Sequence, residues 1–203
     1  MRNKFIWLVL SFLLTITLVV VSCGISTKVD DETLPPTTGA PDEEKEKWIA
    51  DGVLGDTEYL SEMSYGNYEI RWLSDDQYIY IGIRAKTTGW VAVGVKPTSA
   101  MKDADMVIGF IKDGLTTVSD QFSTGIYGPH SPDTDLGGAN NILDFDGKEE
   151  DGYTTIEFKR ALSTGDEYDN EFNNGKNEII WSYGSSDEKG QRHIVRGYGE
   201  INL

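Results

Sequence analysis

The stretch QYIYIGIRA, residues 77–85, decides the fold. Ile79, Ile81 and Ile83 fall on one side of an extended chain and Tyr78, Tyr80 and Arg84 on the other, a period of two that a helix cannot turn into one apolar face. It predicts a half-buried β-strand. The alternation continues outward in both directions. YEIRWL (68–73) puts Tyr68, Ile70 and Trp72 on one face, and GWVAVGV (89–95), DMVIGFI (105–111), YTTIEF (153–158), EIIWSY (178–183) and HIVRGYGEINL (193–203) repeat the pattern. Turn signals at Ser74-Asp75-Asp76, Lys112-Asp113-Gly114 and Glu150-Asp151-Gly152 separate them. Seven or more such strands, with no amphipathic helix between them, predict an all-β fold, an antiparallel β-sandwich.

The N-terminus reads differently. Arg2 and Lys4 precede an uncharged apolar run from Phe5 to Val21, and small Ser22 stands directly before Cys23. The run approaches the roughly 20 residues of a membrane span. Its lipobox-like end instead predicts a lipoprotein signal peptide over 1–22 and lipidation of Cys23. Residues 23–47 hold Pro, Thr, Gly and charge with almost nothing to bury, so they read as a lipid-anchored flexible linker. The folded domain is expected over 48–203, outside the cytoplasm and tethered to the cell membrane.

Cys23 is the only cysteine, so the mature domain has none for a disulfide, a thiolate nucleophile or covalent haem attachment. With 18 basic against 34 acidic residues and a net charge of −16, the chain repels phosphate backbones and nucleic acid is not an expected partner. There is no G-x-S-x-G elbow and no HExxH, which removes the usual signatures of hydrolytic triads and zinc catalysis. Paired carboxylates carry little meaning in so acidic a protein.

Asp133, Asp135 and Asn140, in the long stretch STGIYGPHSPDTDLGGANN (123–141), offer oxygen ligands for calcium, although an Asp/Gly-rich turn looks the same and the EF-hand spacing is missing. The chain has two histidines, His130 in that stretch and His193 before the last strand. Methionine sulfur and imidazole nitrogen together are the axial pair of electron-transfer haem iron, and Met101 and His193 each stand at the edge of a predicted strand. Each also has an ordinary reading, Met101 as core filler and His193 as a hydrogen-bonded strand residue.

GWVAVGVKPTSAMKDADMVIGF, DGYTTIEFKRALSTGDEYD and IIWSYGSSDEKGQRHIVRGYGEINL, in this order, resemble successive motifs of the DOMON domain family, and the likeness runs from Trp48 to the C-terminus. The resemblance implies an immunoglobulin-like, extracytoplasmic β-sandwich, here on a bacterial-type lipoprotein. Two functional classes follow from it, haem-binding cytochromes and modules that bind sugars or mediate interactions. In cytochrome members the iron is held by a methionine after the GW-x-A-x-G strand and a histidine near the final strand, positions matched here by Met101 and His193. The resemblance therefore implies a non-covalent haem b held by Met101 and His193, in a domain that transfers electrons and makes no bonds of its own. Met106 for Met101, and His130 for His193, remain open alternatives.

Trp90 and Tyr198 are the expected pocket aromatics, and Arg196, with Arg192, the expected partners of the haem propionates. A redox enzyme, another partner protein or a membrane electron carrier would complete the circuit. The alternative is a haem-free module that holds a carbohydrate or a protein at the open end of the sandwich beside the 123–141 loop.

Overall fold

The computed structural model describes residues 47–188 and 190–203. The expected signal peptide, Cys23 and the linker as far as residue 46 lie outside them. Among the described residues no helix is long and apolar enough to cross a membrane.

The strands are β1 (Ser61–Tyr65), β2 (Tyr68–Ser74), β3 (Tyr78–Ala85), β4 (Val91–Val95), β5 (Asp105–Lys112), β6 (Leu115–Ser123) and β7 (His130–Pro132). After the short helix α1 (Asp133–Leu136) come β8 (Ile142–Glu150), β9 (Tyr153–Ala161), β10 (Lys176–Tyr183) and β11 (Val195–Asn202). They form two antiparallel sheets, one ordered β1-β2-β3-β9-β8 and the other β11-β10-β4-β5-β6-β7. The expected all-β sandwich is the observed architecture.

The core lies between the sheets. Tyr68, Ile70 and Trp72 of β2, the three isoleucines of β3, and Ile156 and Phe158 of β9 meet Val91, Val93 and Val95 of β4, Val107 of β5 and Ile179 and Trp181 of β10. Full burial of each aliphatic side chain contributes roughly 1.5–3 kcal/mol, and here it comes from strands far apart in sequence. Trp181 stacks on Tyr68 at a centroid distance of 4.8 Å and on Tyr65 at 5.2 Å, which joins the two sheets through aromatic faces.

The outer face of the first sheet is covered by the segment preceding β1. Glu157, on the outward side of β9, collects the backbone N–H groups of Gly52 (2.7 Å) and Asp51 (3.0 Å) on Oε2 and the Tyr59 hydroxyl on Oε1 (2.5 Å). Trp48 Nε1 donates to the same hydroxyl at 2.9 Å. Burial raises the Glu157 carboxyl to about 7 against the pull of these donors.

Four strands differ from expectation. β1, β6, β7 and β8 go beyond the sequence pattern, and the stretch 123–141, read as one irregular loop, contains β7 and α1. The reason is visible in burial: β8 is an edge strand with exposed residues along nearly its whole length, so it carries no apolar alternation to detect.

Candidate functional site

In the six-stranded sheet, Val91, Val93 and Val95 of β4 face the core, which turns Ala92 and Gly94 outward. The register then fixes who stands beside them. One outward row runs Tyr198, Ile180, Gly94, Met106, Gln121 and Pro132 across all six strands, and the next runs Arg196, Ser182, Ala92, Ile108 and Ser119. An antiparallel sheet with one wet face carries polar residues there. This one carries Ile180, Met106, Ile108 and Ala92, and Met106 is only 5% exposed. The small residues at the middle make a trough: a Cβ on Gly94 would come within 2.9 Å of Ile180 Cγ1 and 3.1 Å of Met106 Cγ.

Three connections rise around the trough. Between β4 and β5, the chain takes left-handed φ at Lys96, Ala100 and Asp103, non-glycine residues for which that region is costly. The turn is closed by Lys102 N–H to Ser99 O (2.8 Å) and Ala104 N–H to Met101 O (3.1 Å), and Met101 N–H donates to Ile126 O at 3.1 Å. Met101 is thereby held at the rim by the β6–β7 connection. His130 opens β7, and its Nδ1 lies 2.6 Å from Gln121 Oε1. Donation to that oxygen leaves the ring's lone pair on Nε2. The third connection, β10 to β11, carries His193, whose neighbour Ile194 is pinned by its N–H to Tyr183 O at 2.9 Å. Gly184 begins this connection flat against the Trp90 indole, where any Cβ would overlap the ring.

A narrow pocket of ≈ 50 Å³ opens into a cleft of ≈ 1160 Å³, and Trp90, Met101, Ile108, His130, His193 and Arg196 line both. The cleft is somewhat larger than the usual range of small-molecule and cofactor sites, about 300–1,000 Å³. Burial holds the His193 imidazole below its usual range, helped by Arg196 and Arg192. Burial lowers His130 too, and His193 adds to it. Both rings are thus kept neutral, the form that ligates a metal. Arg192 and Arg196 are the basic residues on the wall of this cleft, beside Asp120, Asp135, Asp187 and Glu188.

All five pocket residues expected from sequence, Met101, His193, Trp90, Tyr198 and Arg196, line the pocket together. So do the alternatives Met106 and His130, while Arg192 lies in the wider cleft. The location differs from expectation: the pocket is on the outer face of the six-stranded sheet, not at the open end between the sheets. Met106, which the alternation assigns to ordinary strand packing, points outward into the floor. The calcium reading of the 133–140 turn also changes, since Asp133 is fully buried whereas Asp135 and Asn140 are exposed at the cleft.

The floor residues Ala92, Gly94, Ile108 and Ile180 are the part that sequence reasoning missed. A signal was present, because GWVAVGV is free of polar side chains on both of its faces.

A model of the DOMON domain matches residues 64–184. The human "DBH-like monooxygenase protein 1" is 29% identical over 151 residues, covering 69% of this chain and 22% of that protein. The chain thus spans about a fifth of the length of that curated relative. Among solved structures, the cytochrome b domain of pyranose dehydrogenase from Coprinopsis cinerea has a TM-score of 0.48 at 14% identity, covering 66% of this chain and 75% of that one. The cytochrome domain of Myriococcum thermophilum cellobiose dehydrogenase has a TM-score of 0.48 at 10% identity, covering 67% and 74%.

Proposed function

The chain belongs to the DOMON domain family, and on that footing we propose that it is an extracytoplasmic electron-transfer domain that binds haem b through Met101 and His193. One observation carries the reading: both histidines and two methionines of the chain reach one apolar cleft on an outer sheet face that packing alone would leave polar. The donor set suits the group. Neutral imidazole and thioether are the ligands of a low-spin, high-potential iron, and no thiolate is needed.

When bound, haem b supplies a one-electron couple. The residues of this chain do the rest. His193 and Met101 stand on different connections at the rim, so they approach the cleft from separate elements. Ala92, Gly94 and Ile180 form a flat apolar floor, and Trp90 and Ile108 keep water from it. Arg196 and Arg192 offer planar, always-charged guanidinium groups for carboxylates at the cleft mouth. The lipid on Cys23 and the linker would hold the domain near a membrane carrier or a redox partner protein.

A second reading has its own observation. Tyr127 and Tyr198 are 81% and 62% exposed, and Gln121, Asp135 and Asn140 line the wide part of the cleft. Exposed aromatic faces beside amides and carboxylates also suit a haem-free module that binds a carbohydrate or another protein.

The visible spectrum separates the two. Purified from haem-supplied cells, the chain is expected to show a Soret band and, on reduction, sharp α and β bands. A folded chain that is colourless and stays so after incubation with hemin overturns the cytochrome and favours the second reading.

A further inference from the structure

We propose that Asp105, Asp120 and Asp169 form a calcium site on the core side of the six-stranded sheet, behind the cleft and independent of what the cleft holds. One carboxylate oxygen of each lies within 4.8 Å of the others. Two oxygens on opposite sides of a calcium ion, each about 2.4 Å from it, are about 4.8 Å apart, so a single ion can span this group.

The carboxylates are not a solvated acidic patch. Asp105 is 1% exposed and Asp120 2%, and the Asp169 side chain is 1% exposed. Their other partners are spoken for. Asp105 Oδ2 accepts from Arg160 Nη1 at 2.5 Å and from Asn170 N–H at 2.9 Å, and Asp120 Oδ2 accepts from Asn141 N–H at 2.8 Å. Asn141 Nδ2, oriented as its surroundings require, donates to Asp169 Oδ2 at 3.2 Å. Among the described residues Oδ1 of all three is buried with no hydrogen-bond donor, and Arg160 Nη2 lies 3.7 Å from Asp169 Oδ1. Asp133 adds a fourth buried carboxylate with both oxygens unpartnered.

The Arg160 guanidinium pairs with Asp105 and Asp169, and the empty acceptors that remain are more than native interiors ordinarily leave. A cation inside the group would satisfy these oxygens and offset their charge.

The donors choose the ion. They are all oxygens, which disfavours zinc and copper, and they come from three separate segments with no shared geometry, which suits calcium's loose coordination better than magnesium's rigid octahedron. Asp120 also borders the cleft. Occupation would tie β5 and β6 to the connection between β9 and β10.

The test uses the full chain stripped with chelator and titrated with calcium chloride by calorimetry, alongside melting temperature in calcium and in chelator. The expected result is one ion per chain, a higher melting temperature with calcium, and a much smaller response to magnesium chloride. Asp120→Asn and Asp169→Asn are each expected to weaken binding at least tenfold and to lose the calcium-dependent shift. Absence of saturable binding and of any shift in the folded wild-type chain overturns the site, as does an unchanged calcium response in a folded variant. Should either variant fail to fold, the other variant and the wild-type titration decide.

Discussion

Met101 and Met106 differ in what holds them. Met106 is fixed by two strand neighbours, Gly94 and Gln121, and is packed to 5% exposure, whereas Met101 rides on a turn and is half-buried at the rim. A sulfur already covered by its own sheet is a worse ligand than one that overhangs the cleft, which favours Met101. With haem-loaded protein, Met101→Ala is expected to keep the haem and lower its midpoint potential, and Met106→Ala to leave the potential near the wild-type value. The reverse order in a redox titration would exchange the two roles. His193→Ala is expected to weaken hemin binding at least about tenfold, since removal of mere supporting partners costs that much at metal sites. His130→Ala serves as its comparison. None of these distinctions was legible in the alternation. On β5 the more apolar set, Met106, Ile108 and Phe110, faces the cleft, and the inward set begins with Asp105, which meets Arg160 in the core. Hydropathy alone points that strand the wrong way round, and the pairing of Met101 with His193, raised by residue type and strand-edge position, drew its main support from the family resemblance.

Among the elements, the β4–β5 connection stands out for its strain. Ala100, next to Met101, has φ 52°, where a β-carbon costs roughly 1–2 kcal/mol. Ala100→Gly removes that cost and adds about 0.5–1 kcal/mol of chain entropy to the unfolded state. The expected net effect is a gain of about 0.5 kcal/mol in denaturant melts, and a loss of about 1 kcal/mol would show that the turn is not held as described. The turn shows little in the sequence because its left-handed residues are lysine, alanine and aspartate, not glycine. β3 lay in plain view because both its neighbours and the opposing sheet demand isoleucine at every second position. β6 was hidden because its inward side includes Asp120 and its outward side Ser119 and Gln121, which break the apolar alternation. Pro129 before it and Pro132 at its end obscured β7.

At the scale of the whole molecule the two outer faces have opposite fates. One is roofed by residues 48–60 and sealed by Glu157, while the other is left open as the cleft. The roof makes stability depend on pH. The Glu157 carboxyl is raised from its ordinary 4.5 to about 7, so its contribution is full below about pH 4.5 and is lost as pH rises through 7. Melting temperature is expected to decline across that window, and Glu157→Gln to decline less steeply over the same range. Parallel curves for the two proteins would remove Glu157 as the cause. The open face has a different consequence. A ligand in a site outside the sandwich core would enter without any part of that core separating, so the fold would not wait for it. Under the proposed function, folding and loading would be separate events, and a folded molecule would exchange its ligand with the surrounding pool.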